Sequence, residues 1–525
     1  MSRTKDEIIE ALQKQHELFL EEKKVFLARN AELEERNKTL EALVLFLKRQ
    51  KYLPKSEVVT DAQLSIFNEA ETESQPEFDS EDALPQELSN QRPEKTKKST
   101  GRKKLPDWIE REDVIIDLKD SDKVCPNDGS NLKKSGEEVS EKLKIIPLQI
   151  KVIRTTRYKY ACTQCECCQS APVPLSLIPQ SIATPETLAF VAVSKYEDAL
   201  PLYRIENILE RNQIPISRAT LANWMIKSAN ACLPVINLMK DDLLSSSYMH
   251  MDETTVQVLD EDDRKAISKS YMWVQLSTAE NKKIVLFNYD PSRSGMTAKN
   301  LLQGFTGHLQ VDGYAGYNFT EEKLSKIIRI SCLAHIRRKF KILFDDKTLR
   351  SPYVVEVIQL IRKIYEKESQ MGYDRVLEKE KVIDYKTKYI DPLLKKLKEL
   401  LQTKHGKIPP QTPLGEAIHY AVNELPLLIK SYSKAAEIRL DNNLVENAIR
   451  PFAIGRKNWL FSQSVAGAEA SSVIYSLIES SKLNQLDPYL YLQYLFQKIP
   501  HCQKLEDFEK LLPYKIKSDL LTRLN

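Results

Sequence analysis

A chain of 525 residues has room for about three or four domains of the usual ~150 residues. With 42% hydrophobic and 29% charged residues it has a globular composition. No apolar run approaches the ~18–20 residues that would make it a membrane protein. A net charge of +4 excludes binding to nucleic acid through bulk charge alone and leaves that role to local patches. The opening "MSRTKDEIIEALQKQ" lacks the apolar core of a signal peptide, so a cytoplasmic protein without membrane partners is expected.

In residues 1–50, Leu12, Phe19, Phe26, Leu33, Leu40 and Leu47 recur every seven residues. Their companion seam (Ile9, His16, Lys23, Asn30, Asn37, Val44) is largely polar. This predicts a coiled coil that makes a homo-oligomer, with buried Asn fixing register. The alternative is one amphipathic helix lying on the protein's own body. Residues 51–104 read as a disordered linker. Ser56 to Gln91 holds ten acidic residues and no Lys or Arg, and "RPEKTKKSTGRKK" (Arg92 to Lys104) then reverses the sign. Such an arm is a solvated tether or a phosphate-neutralising segment.

Residues 105–175 read as a small β-rich module. Leu148, Ile150 and Val152 alternate with polar residues, which predicts a strand. Lys151, Arg154, Arg157 and Lys159 interleave with Tyr158 and Tyr160, a combination suited to nucleic acid or to edge protection. Four of the eight cysteines crowd into "CTQCECC" (Cys162, Cys165, Cys167, Cys168), which in a reducing compartment points to metal. In 176–243 the stretches "PLYRIENILERN" and "SRATLANWMIKSA" predict two short helices, the second N-capped by Ser217. As a helix-turn-helix the pair would present Arg218, Thr220, Asn223 and Lys227 to a groove.

From residue 244 three strands are predicted in "SSYMHMDETTVQVL", "SYMWVQLST" and "KKIVLFNYD". "TAKNLLQGF" predicts a helix, and "GHLQVDGYAGY" and "KIIRISCLAHIRRKF" each lead from a strand into a turn or helix. The pattern implies a mixed α/β sheet in 244–470, interrupted by a charged helical insertion at about 341–437. Residues 471–525, with "NQLDPYLYLQYLFQKI", predict a docked helical tail.

Asp252 stands inside an apolar strand and Asp312 at the end of another, positions of poor strand propensity that are costly unless paired or coordinated. In "LDNNLVENAIRPFAIGRKNWLF" a helix N-capped by Asp441 would put Asn443, Glu446, Asn447 and Arg450 on one face and end or kink at Pro451. Glu446 is then either an i,i+4 partner of Arg450 or a carboxylate facing a charged ligand. Three carboxylates from three elements suit Mg²⁺ or Mn²⁺, two ions spaced ~3.5–4 Å, and in-line phosphoryl transfer.

The stretches "DETTVQVL", "SRSGMTAKNLL", "QVDGYAGYN", "CLAHIRRKF" and "DNNLVENAIRPFAIGRKNWLFSQSVAGAEA" resemble transposases of the insertion-sequence-66 family, bacterial DDE enzymes. The resemblance covers nearly the whole chain. It implies a multidomain α/β protein: an RNase H-like mixed-sheet core with an inserted helical subdomain, preceded by a coiled coil and a zinc-ribbon-like module. It implies Asp252, Asp312 and Glu446 as the metal-binding, catalytic triad. Glu446 follows Asp312 by 134 positions and Asp312 follows Asp252 by 60, in keeping with an insertion before the last acid. Arg293, His335, Arg337, Arg338, Arg450, Arg456 and Lys457 lie in the motif stretches as candidate DNA contacts, with Arg154 and Arg157 in the module. His335 is alternatively structural, and Trp459 reads as core. Cys125, Cys162 and Cys165 resemble zinc ligands. Asp128 stands where the family has a second cysteine, so the fourth ligand is Asp128, Cys167 or Cys168, or the site has decayed. The implied activity is cleavage at element ends and strand transfer into target DNA, with small accessory proteins as partners. The alternatives are a nuclease of the same fold that does not join, and an inactive DNA-binding relic.

Overall fold

The computed structural model describes residues 149–161, 168–170, 172–278, 282–321, 325–346, 349–371 and 378–517. The predicted coiled coil, the linker, and Cys125, Asp128, Cys162, Cys165 and Cys167 lie outside them, as does the side chain of Cys168. The described residues fall into two compact units that divide between Pro174 and Leu175.

In the smaller unit β1 (Lys159–Ala161) pairs antiparallel with β2 (Cys168–Ser170). The strand expected through Ile150 and Val152 does not form: residues 149–158 lack regular structure, and Val152 is 93% exposed. Alternation makes a strand only where a partner pairs its backbone and a core covers its apolar face.

The larger unit opens with α1 (Pro185–Tyr196), α2 (Leu202–Arg211) and α3 (Arg218–Leu244). Ser217 caps α3 as expected, its Oγ accepting the Thr220 N–H at 3.3 Å. The helix is not short, however. It runs 27 residues through Pro234, because buried Leu221, Met225, Cys232, Val235, Met239 and Leu243 continue the helical period to its end. Arg218, Asn223 and Lys227 are exposed and Thr220 is half-buried.

The sheet strands follow: β3 (Tyr248–Asp260), β4 (Lys269–Ser277) and β5 (Ile284–Asp290), then α4 (Gly295–Leu301), β6 (His308–Gln310) and β7 (Ile328–Ile330). Next come α5 (Leu333–Asp345), α6 (Pro352–Met371), α7 (Lys379–Tyr385), a π-helical turn (Lys386–Ile390), α8 (Asp391–Lys404) and α9 (Pro413–Ser431). The chain then returns through α10 (Asn443–Trp459), β8 (Ser462–Ser464), α11 (Val465–Leu483), α12 (Pro488–Lys498) and α13 (Leu505–Glu509).

The strand order is β5-β4-β3-β6-β7, with β8 against the far end of β3. β3, β4 and β5 are antiparallel neighbours, whereas β6 and β7 run parallel to β3. The free edge of β5 is closed by α11. Ser476 Oγ accepts the Phe287 N–H at 2.8 Å, and Ser480 Oγ accepts the Val285 N–H and donates to its carbonyl, both at 2.9 Å. Serines four apart on one helix face thus satisfy an edge that would otherwise template aggregation. The tail is docked as expected, with Tyr491, Leu492, Leu495 and Phe496 of α12 buried.

The α5–α9 layer has its own core, which takes in Ile336, Phe340, Ile361, Leu397 and Leu425 together with Tyr248 of β3 and Ile330 of β7. Two buried cations tie it to the sheet and to the start of α10. Lys386 Nζ donates to the carbonyls of Ala435, Ala436 and Ile438 at 3.0, 2.9 and 2.6 Å, gathering the backbone that leads into α10. Arg329 of β7 donates to both Glu424 oxygens, at 3.1 and 2.9 Å, and to the Asp312 carbonyl at 3.1 Å.

Candidate active site

The register of the two parallel strands brings the aspartates together. The last β3–β6 pair is His250 with Gln310. Asp252 lies two residues further along β3 and Asp312 two residues past Gln310, just beyond the end of β6, close enough for the Asp312 carboxylate to act on Asp252. Asp252 Oδ1 accepts the Glu253 N–H at 2.8 Å. Asp312 Oδ1 accepts the Tyr314 N–H at 2.9 Å, which fixes the turn after β6. Gly313 is required there: a Cβ would lie 2.5 Å from the Tyr420 ring of α9.

Glu446 reaches the pair from the first turn of α10 and is fully buried. Asn442, the N-cap residue, makes no capping bond. Its Nδ2 donates to the Met251 carbonyl at 3.1 Å, and its Oδ1 meets His250 Nδ1 at 2.8 Å. Burial holds His250 well below its ordinary pKa, at about 3, so the neutral ring donates through Nδ1 and Asn442 accepts. Asn442 therefore pins the helix start to the strand that carries Asp252. Asn442→Ala is expected to free the start of α10 from β3 and to destabilise the protein by about 1–3 kcal/mol, since the buried His250 Nδ1–H and Met251 carbonyl lose their partner. Urea unfolding midpoints check this.

The electrostatics are those of crowded carboxylates. Burial pushes Asp252 well above the usual range, and Glu253, Asp312 and Glu446 push it further. Burial also pushes Glu446 up to about 7; His335 and Arg338 oppose the shift, while Asp441 and Asp312 add to it. Among the described residues neither Glu446 oxygen has a hydrogen-bond partner. Half-buried aspartates crowded against a buried glutamate whose oxygens have no donor form a set that fits a hard divalent cation.

Several expectations are corrected. The helix begins after Asn442 rather than Asp441, which instead accepts the Asn443 N–H at 3.2 Å. Pro451 does not end the helix, which continues to Trp459 because Phe452, Ala453 and Gly455 stay buried beneath it. The hydrogen bond that Pro451 lacks would have gone to the carbonyl of Asn447, an exposed residue that water satisfies. That exposure also removes Asn447 from the surroundings of Glu446, about 100° away around the helix. No hydrogen bond links Glu446 to Arg450.

Arg293 donates to Glu253 at 2.7 Å and lies over the Tyr314 ring, 4.4 Å from its centroid, beside Asp312. His335 and Arg338 lie near Glu446, while Arg337 and Lys457 are exposed and Arg450 is half-buried. Arg456 is used inside the protein: its Nη1 donates to Thr254 Oγ1 and Thr255 Oγ1, at 3.1 and 3.0 Å, and to the Thr255 carbonyl, holding α10 to β3. Arg154 and Arg157 are exposed in the smaller unit. Trp459, half-buried, packs edge-on against buried Phe452 at the margin of the core rather than within it. Sequence reasoning missed Glu253, Asn442 and Cys332. Glu253 was detectable as a second acid in the same strand. Asn442 and Cys332 carry no signal of their own.

Residues 180–470 match the family described as "Transposase IS66 family". Residues 122–176 match "zinc-finger binding domain of transposase IS66", 476–514 match "IS66 C-terminal element", and 39–114 match "Transposase C of IS166 homeodomain". The chain is 31% identical to Uncharacterized protein y4jD of Sinorhizobium fredii over 427 residues, which cover 79% of this chain and 82% of that protein. It is 28% identical to y4qI of the same organism over 506 residues, covering 93% and 90%. No solved structure matches. Among the described residues no helix is long and apolar enough to cross a membrane. The chain belongs to the IS66 family of transposases.

Proposed function

We propose that this transposase hydrolyses a DNA strand at each end of an insertion element and joins the exposed 3′-hydroxyl to target DNA. One observation carries the reading. Asp252, Asp312 and Glu446 cluster together, the aspartates half-buried and Glu446 fully buried, and the Glu446 oxygens have no hydrogen-bond partner among the described residues. The three carboxylates would hold Mg²⁺ or Mn²⁺, two ions. When bound, these supply Lewis-acid stabilisation and a water or hydroxyl of lowered pKa. The protein's own work is positioning: strand register sets the aspartates, Asn442 sets Glu446, and Arg329 holds the Asp312 backbone. The core is proposed as RNase H-like. Three antiparallel strands with two parallel strands added beside the longest one support that assignment.

Arg337, Arg338, His335, Arg293, Arg450 and Lys457 are proposed to contact phosphates around the triad, and Arg154 and Arg157 to help the zinc module hold the element end. That module's ligands are proposed as Cys125, Cys162 and Cys165 with Asp128, Cys167 or Cys168. Subunits holding the two ends would meet through the N-terminal coiled coil, with accessory proteins of the same element as partners.

The test is cleavage and joining of labelled DNA carrying the element's own end, in Mg²⁺ or Mn²⁺, with wild type beside Asp252→Asn. Wild type is expected to cleave and join while the variant binds and does neither. Cleavage without joining would make the protein a nuclease. End binding without reaction, even with accessory proteins added, would make it an inactive relic.

A further inference from the structure

Glu446 has a second set of neighbours, on the side of α5. Cys332 is the N-cap residue of that helix and His335 lies three residues on, so both side chains sit at one helix end. The Cys332 sulfur, a His335 ring nitrogen and a Glu446 carboxylate oxygen all lie within 4.8 Å of one another. Cys332 is 1% exposed and Glu446 is fully buried. The sulfur accepts the Asn442 N–H at 3.2 Å, while burial and the Glu446 and Asp441 carboxylates hold the thiol well above its ordinary pKa. The Glu446 oxygens are buried without hydrogen-bond partners among the described residues, so the carboxylate is available to a ligand.

Thiolate, imidazole and carboxylate form a different donor set from the aspartate side. Mg²⁺ takes oxygen ligands and gains little from sulfur, whereas Zn²⁺ takes S, N and O donors with a fourth position left to water. We propose that Cys332, His335 and Glu446 form a second metal site, selective for a divalent ion of the Zn²⁺ class, that competes with the aspartate pair for Glu446. As the metal–sulfur bond forms, the thiol proton passes to solvent. Zn²⁺ binding here is therefore inhibitory. That consequence rests on the catalytic reading above, whereas the binding itself does not.

Co²⁺ added to the full chain tests the binding through thiolate-to-metal charge-transfer absorption. The cysteine-rich module contributes to that signal in every variant, so the comparison is between proteins. Wild type is expected to bind one more equivalent of Co²⁺ with a thiolate band than Cys332→Ser. His335→Asn, at a half-buried position, is a second variant expected to weaken the same component at least about tenfold. Equal amplitudes and stoichiometry in wild type, Cys332→Ser and folded His335→Asn overturn the site. In cleavage assays at fixed Mg²⁺, Cys332→Ser is expected to need at least about tenfold more Zn²⁺ for half-inhibition. An unchanged half-inhibition point overturns the competition. If no protein cleaves, the catalytic reading fails on its own, and the Co²⁺ spectra still decide the site.

Discussion

Glu446→Gln is expected to lower strand cleavage and joining at least about a thousandfold while end binding stays within about threefold of wild type. The substitution keeps the shape and volume of the side chain, removes its charge and puts an amide NH2 in place of one oxygen. Glu446 is fully buried in the first turn of α10, and its oxygens make no hydrogen bond that holds the fold. Thermal unfolding without divalent metal should therefore shift by no more than about 1 kcal/mol, since no paired group is orphaned. With Mg²⁺ added, wild type should gain stability that the variant does not, because only an intact carboxylate set binds the ion to the native state. Melting curves with EDTA and with Mg²⁺, beside the cleavage assay, read both halves. Full cleavage by a folded Glu446→Gln protein would remove Glu446 from the reaction.

Glu424→Ala is expected to destabilise the protein by about 3–5 kcal/mol, since it leaves the Arg329 guanidinium buried beside a cavity. Arg329 is 7% exposed and Glu424 8% exposed, so solvent does not screen the loss. The same guanidinium donates to the Asp312 carbonyl, so cleavage should fall even where the variant stays folded. The double variant Arg329→Met/Glu424→Leu separates the two effects. Replacing both charges by apolar groups should recover most of the stability, whereas cleavage stays low because the Asp312 backbone has lost its anchor. Urea unfolding midpoints and cleavage rates at a temperature where all three proteins are folded are the measurements. Recovery of cleavage with stability would show that the pair is only structural.

The readable parts of this chain are those governed by local periodicity. The apolar runs at Tyr248–Asp260, Lys269–Ser277 and Ile284–Asp290 form strands as expected, and Ser217 caps its helix. Local patterns failed where burial overrode them. Pro234 and Pro451 sit inside continuous helices because core residues on both sides outweigh one missing hydrogen bond. The alternation at Ile150 and Val152 made no strand because neither residue is covered.

By itself the sequence determined the order of strands and helices, the family resemblance, and the residues that stand out as acids in apolar surroundings. These are properties of neighbours along the chain. The tertiary structure alone decided what each acid faces. It placed Asp252, on β3, beside Asp312, just past the end of the parallel strand β6, and pinned α10 to β3 through Asn442. It set Glu446 between the aspartates on one side and Cys332 with His335 on the other. Burial and electrostatic crowding depend on contacts between residues more than a hundred positions apart. A chain read in order fixes periodicity, but not which distant carboxylate shares a dry site with which cation.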